Sequence, residues 1–194
     1  MNSETFDISL PADVAAQLYA VAKANGISRS DYITMAVQKQ LLKEAAAASI
    51  TDVQADDVLP ASVKLYCDGG SRGNPGASAG GFVILDMQNN VLRQSGKFLG
   101  IATNNYAEYH SLKGGLEMCQ SQGSQTVDVY MDSLLVINQM KGLFKVKHET
   151  LIPIHTAIKK LLPGFKKVTF THVPRELNKL ADEQVNITLD ALLN

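Results

Sequence analysis

The sequence has no tryptophan, only two cysteines, and no apolar run approaching the roughly 20 residues that cross a bilayer. The last absence excludes a helical membrane span. The opening Met1-Asn2-Ser3-Glu4-Thr5 also lacks the basic stretch and following apolar segment of a secretory leader. A soluble, cytoplasmic chain with no membrane partner is therefore expected. Cys67 and Cys119 fall in apolar strand-like and helix-like patterns without metal-ligand spacing, so both are expected as reduced core residues rather than a disulfide. No internal repeat or long low-complexity tract is visible.

What is present suits one ordinary domain and an appendage: 194 residues, 45% of them apolar. The net charge of −1 conceals an uneven balance. Residues 1–62 hold four Lys/Arg against eight Asp/Glu, whereas residues 63–194 hold fourteen against eleven. An anionic partner is expected on the second part.

Residues 1–44 read as a small unit. Phe6, Ile8 and Leu10 alternate with Thr5, Asp7 and Ser9 as a half-buried strand. Pro11 then opens a helix with Val14, Leu18, Val21 and Ala22 on one face, and Asn25-Gly26 ends it. Ser28 or Ser30 can cap a second helix carrying Ile33, Val37 and Leu41. This order, with Leu10-Pro11 and Gly26-Ile27-Ser28-Arg29-Ser30, resembles the ribbon-helix-helix family. One strand and two helices close no core alone, so a homodimer through residues 5–44 is expected. The outward Thr5, Asp7 and Ser9 lie in an acidic segment, which favours dimerisation over DNA reading. Residues 45–62, Ala-rich and then acidic, read as a linker.

From Val63 the pattern turns to strands. Val63, Leu65 and Cys67 alternate into Asp68, after which Gly69-Gly70-Ser71-Arg72-Gly73-Asn74-Pro75-Gly76 reads as a loop. Gly81–Leu85 and Val91–Leu99, joined by Asn89-Asn90, complete a three-stranded meander. A helix follows Thr103-Asn104-Asn105-Tyr106-Ala107-Glu108, and Val127, Val129 and Met131 form a strand ending on Asp132. A helix through Leu135, another over about 149–162, a strand over 168–172 and a last helix from about Leu177 complete an α/β fold. Its expected architecture is a five-stranded mixed sheet flanked by helices.

Asp68 and Asp132 at strand ends, Glu108 at a helix start and Asp182 in the last helix are costly to bury unless they are paired or hold a cation. Basic partners nearby in sequence are few, so metal is the economical explanation. An all-oxygen donor set selects Mg2+ or Mn2+ over zinc. Two such ions about 3.5 to 4 Å apart activate a water and stabilise the leaving oxygen of a phosphoryl displacement, which is nuclease chemistry. The bland alternative is that each carboxylate caps a helix or turn.

Asp68–Gly76, Thr103–Glu108, Met131-Asp132-Ser133 and His172-Val173-Pro174-Arg175-Glu176 through Ala181-Asp182 resemble, in order, the four motifs of type 1 ribonuclease H. The resemblance covers residues 63–190 and marks 63–194 as the catalytic domain. It implies endonucleolytic hydrolysis of the RNA strand of an RNA/DNA hybrid, leaving 5'-phosphate and 3'-hydroxyl ends. Two Mg2+ ions, with Mn2+ as substitute, are implied per site. Asp68 would bridge both, Asp182 would complete the site of the ion holding the attacking water, and Glu108 and Asp132 would complete the other. His172 matches the family's mobile histidine, which helps proton transfer or product release. Gly69, Asn74, Asn104, Asn105 and Ser133 match hybrid-contacting positions, and Thr103 one that holds a DNA phosphate. Leu134 stands where the family often has Gln. Only Lys141, Lys145 and Lys147 remain where some members carry a longer basic, Trp-rich protrusion. The competing expectation is a noncatalytic nucleic-acid binder or ribbon-helix-helix regulator with a decayed nuclease fold. Asn186-Ile187-Thr188 fits a glycosylation acceptor but is taken as chance.

Overall fold

The computed structural model describes residues 9–24, 28–30, 32, 33, 37 and 58–191, and the chain divides into two compact units, Met1–Asp52 and Val53–Asn194. In the first, α1 (Ala12–Ala24) starts directly after Pro11, with Asp13 in its first turn and Lys23 in its last, the charge order that suits the helix dipole. Arg29, Ser30, Tyr32, Ile33 and Val37 are helical, and the Ser28 carbonyl accepts from the Tyr32 amide at 3.0 Å. The strand expected before α1 lies mostly outside the described residues; Ser9 and Leu10, its described end, are in neither helix nor strand. Residues 45–57 of the expected linker are likewise outside them. No described helix is long and apolar enough to cross a membrane.

The second unit is built on a five-stranded mixed sheet. Its strands are β1 (Ser62–Gly73), β2 (Gly76–Leu85), β3 (Val91–Ala102), β4 (Thr126–Met131) and β5 (Lys167–His172), in the order β3-β2-β1-β4-β5. The first three pair antiparallel, and β4 and β5 join parallel to β1. Between and after them run α2 (Asn104–Ser121), α3 (Leu134–Met140), α4 (Ile152–Leu161) and α5 (Lys179–Asp190). The alternating Val63, Leu65 and Cys67 of β1 and Val127, Val129 and Met131 of β4 are all fully buried. They pack with Leu112, Leu116 and Cys119 of α2 and Ile158 of α4 in one apolar core. Both cysteines are free and buried, as expected.

The segment after Asp68 is not the expected loop. β1 continues through Asp68 to Gly73, pairing Asp68 with Gly81, Gly69 with Gly80 and Gly70 with Ala79. The glycines serve close packing instead of turning. Neighbouring strand residues face opposite layers, and so do these. A Cβ at Gly69 would run into the backbone nitrogen of Glu108 in α2, and one at Gly70 would meet Val185 of α5 at 2.7 Å. Likewise Gly80 faces Ala107 of α2 while Gly81 faces Ala181 of α5. Two helices thus press on opposite faces of the same glycine-lined stretch, and each brings a carboxylate with it.

Candidate active site

Asp68 stands in the middle of β1, Glu108 in α2, Asp132 just after β4 and Asp182 in the first turn of α5. All four line one cleft of about 280 Å3. None of them caps a helix: the N-cap residues of α2, α3 and α5 are Thr103, Ser133 and Asn178. The helix-cap half of the bland alternative therefore does not hold at α2, α3 and α5.

Asp68 and Glu108 are buried, at 9% and 7% exposure. Burial pushes the Asp68 carboxyl up to about 7, the Asp132 charge adds to this, and a hydrogen bond from the Gly69 amide opposes it. Glu108 is likewise raised to about 7 by burial, against the hydrogen bond from Ser133, with the Asp68 and Asp132 charges adding. Its Oε2 accepts from Ser133 Oγ at 2.7 Å and its Oε1 from Asn104 Nδ2 at 2.9 Å. Two carboxyls held this high have little countercharge beyond a small effect of Arg175 on Asp68, and a cation in the cleft would supply it.

Asp132 Oδ1 accepts from Asn178 Nδ2 at 2.9 Å. Asp182 is held by Arg175, whose guanidinium donates to Oδ1 at 2.6 Å, and by Asn186, whose Nδ2 donates to Oδ2 at 2.8 Å. Few basic residues lie near these carboxylates in the sequence, yet Arg175 pairs with Asp182 from the 3-10 turn Arg175–Leu177 and itself lines the cleft. Among the described residues no group of three or more His, Cys, Asp or Glu side chains is already drawn together as a metal cage. The donor set is nonetheless all oxygen and carries excess negative charge, which fits a hard divalent cation such as Mg2+ or Mn2+.

Of the other residues singled out in the sequence, Gly69 and Asn104 line the cleft. Ser133 joins it through Glu108. Asn74 Oδ1 accepts from the Asn104 amide at 3.2 Å, tying the β1–β2 hairpin, whose Asn74-Pro75 bond is cis, to the start of α2. Thr103 Oγ1 accepts from the Tyr106 amide at 3.3 Å, so Thr103 caps α2 while Asn104 and Asn105 are its first two residues. His172 is exposed at the end of β5, outside the residues lining the cleft, and its Nε2 donates to the Asp132 carbonyl oxygen at 3.2 Å.

Sequence reasoning missed Arg175, Asn178 and Asn186 as parts of the site. The i, i+4 spacing of Asn178, Asp182 and Asn186 along one helix face was the available signal. The Asn of the apparent glycosylation motif is thus a partner of Asp182.

A mixed sheet of this order, with α2 and α5 on its two faces and four carboxylates in one cleft, defines a ribonuclease H-like domain. The chain belongs to the reverse transcriptase-like family, whose sequence model matches residues 66–188. It is 40% identical over 130 residues to the bifunctional protein Rv2228c of Mycobacterium tuberculosis, covering 66% of this chain and 36% of that one. It is 38% identical over 128 residues to ribonuclease HI of Halobacterium salinarum, covering 66% of this chain and 64% of the relative. The chain therefore spans about a third of the mycobacterial protein and less than two thirds of the halobacterial one. Among solved structures it resembles LC11-RNase H1 in complex with RNA/DNA hybrid, with TM-score 0.65 and 40% identity over 68% of this chain and 99% of that one.

Proposed function

We propose that residues 63–194 are a ribonuclease H that hydrolyses the RNA strand of RNA/DNA hybrids endonucleolytically, with 5'-phosphate and 3'-hydroxyl products. The observation that carries this reading is the gathering of Asp68, Glu108, Asp132 and Asp182 in one cleft, two of them with carboxyls held near neutrality. The relatives named as ribonuclease H enzymes, and the solved relative bound to a hybrid, support the same substrate.

Asp68 and Glu108, Asp132 and Asp182 would hold two Mg2+ or Mn2+ ions. When bound, such ions supply the Lewis acid that phosphodiester hydrolysis requires. The remaining work belongs to the chain. Ser133 and Asn104 fix both Glu108 oxygens, leaving the carboxylate one orientation toward the cleft. Arg175 brings a cation to the cleft mouth, where a phosphate of the scissile strand can meet it. Asn104, Asn105 and Asn74, with both donors and acceptors, suit the sugar hydroxyls and base edges of a wide, shallow groove; Thr103 suits a DNA phosphate. His172 is the proposed proton shuttle, placed beside Asp132 through its carbonyl. Water adds to phosphorus as the 3'-oxygen leaves, which yields the two product ends.

The N-terminal unit is proposed to dimerise the enzyme. α1 leaves Val14 and Val21, seven residues apart and so on one side of the helix, exposed, an apolar stripe of the kind that a second copy covers.

The test is cleavage of labelled RNA/DNA hybrid in Mg2+ or Mn2+ by the wild type and by Asp132→Asn, with RNA/RNA and DNA/DNA duplexes as controls. Hybrid-only cutting that Asp132→Asn abolishes is expected. A wild type that binds the hybrid in both ions without cutting it would instead make the chain a nucleic-acid-binding protein on a nuclease fold.

A further inference from the structure

Parallel pairing between β1 and β4 stops at Tyr66 and Tyr130, two residues short of Asp68 and Asp132. Beyond that point the two strands have no paired residues, although the proposed chemistry depends on their two carboxylates. A side chain from a third element takes over there. Asn178 Nδ2 donates both to the Cys67 carbonyl, at 3.0 Å, and to Asp132 Oδ1, at 2.9 Å. Its first bond fixes the peptide leading into Asp68 and its second fixes the carboxylate on the neighbouring strand. The Asn178 carbonyl also accepts from the Ala181 and Asp182 amides, both at 3.1 Å, so the same residue starts the helical turn that carries Asp182.

The residue gives something up for this arrangement. Asn at an N-cap ordinarily accepts a hydrogen bond from the first turn of its own helix, but the Asn178 side chain makes no such bond. It is 1% exposed, and its Oδ1 is buried without a hydrogen-bond partner. Burying an unpaired amide oxygen is unfavourable. A residue serving only to begin α5 would turn this oxygen toward the helix amides, whereas here the amide group points across the sheet.

We propose that Asn178 is a positioning residue that sets the separation and orientation of Asp68 and Asp132, and so the affinity of the cleft for a divalent cation. This rests on the nuclease reading only in taking those two carboxylates as the cation's ligands.

Asn178→Ser tests it, because serine preserves the N-cap preference of α5 but is too short to span Cys67 and Asp132. Mn2+ binding to the full chain, measured by calorimetry, is expected to weaken about tenfold to a hundredfold, the range for partners that orient metal ligands. Ser124→Ala is the matched control. It removes the bond from Ser124 Oγ to the Pro60 carbonyl, which lies ahead of β4 at the opposite end of the sheet, and should destabilise without changing Mn2+ affinity. A second measurement needs no variant: in wild-type crystals loaded with Mn2+, Asn178 is expected to keep both bonds. Unchanged affinity in Asn178→Ser, or a side chain that releases Cys67 or Asp132 on Mn2+ loading, overturns the proposal and leaves the nuclease reading intact. A wild type that binds Mn2+ with the expected Asn178 dependence but cuts no hybrid removes the nuclease reading alone, and one that binds no Mn2+ removes both.

Discussion

Ser133 Oγ donates to Glu108 Oε2 at 2.7 Å while accepting from the Val136 amide at 3.5 Å, so the residue that begins α3 also holds the carboxylate carried by α2. The capping bond is long and the bond to the carboxylate short. Ser133→Ala is therefore expected to cost less than about 1 kcal/mol of stability, below the usual loss of a cap. Hybrid cleavage should fall about tenfold, with a higher Mg2+ concentration needed for half-maximal rate. Urea denaturation and a Mg2+ titration of the rate check the two halves, and a large stability loss with an unchanged Mg2+ requirement would refute the assignment.

The metal-free protein should lose stability as pH rises. Asp68 and Glu108 are raised to about 7 chiefly by burial, whereas carboxyls of an unfolded chain titrate at about 4. Between these values the native state binds more protons than the unfolded one. The contribution is fully present below about pH 4 and is lost as pH rises through about 7. Denaturation in EDTA across this range should show the decline, and Glu108→Gln should flatten it. A decline equally steep in Glu108→Gln would show that other groups cause it.

Gly69→Ala places a Cβ against the Glu108 backbone nitrogen, which no side-chain rotation relieves. A loss of about 3 kcal/mol or more is expected, at the upper end for overpacking, together with loss of cleavage. Gly100→Ala is the contrast, since its Cβ meets nothing within 4 Å and only the positive φ of 81° opposes it. That should cost about 1 kcal/mol. Comparable denaturation midpoints for the two variants would contradict the packing argument.

Arg175 and His172 are separable. Arg175 lines the cleft, and its side chain is 74% exposed, so its ion pair with Asp182 adds little stability. Arg175→Ala should leave the melting temperature nearly unchanged while lowering hybrid turnover about tenfold or more. His172→Ala should slow turnover less and leave metal affinity as it was. The reverse ranking, read from single-turnover rates at saturating hybrid, would place His172 and not Arg175 at the reacting phosphate.

Light scattering on the full chain is expected to give twice the 21.0 kDa monomer mass. Val14→Asp puts a charge on the exposed apolar side of α1 and should return the monomer, with the cleavage rate per active site unchanged at saturating hybrid. A wild type that runs as a monomer at high concentration would end the dimer proposal.

Much of the second unit was legible from local pattern. The alternation of Val63, Leu65 and Cys67, and of Val127, Val129 and Met131, marks two core strands, and each leads into a carboxylate of the cleft. The continuation of β1 past Asp68 was not legible, because glycines that allow a turn and glycines that admit a helix look the same until the helix is placed. Arg175 was overlooked for a related reason: its pairing with Asp182 depends on a 3-10 turn folding back on the start of α5. Asn178 was not singled out, since its two side-chain bonds reach residues far away in the chain. Patterns along the chain report burial well, but they do not report which polar groups meet across it.

Because β1 carries Asp68 in mid-strand and not at its end, that residue has β2 pairing both before and after it and cannot drift with a loop. The two helices, α2 and α5, pack on the glycine-lined faces of the same stretch, and each brings its own acid to that post. A shift of either helix along the strand therefore moves an acid of the cleft, whereas the strand keeps its own in place.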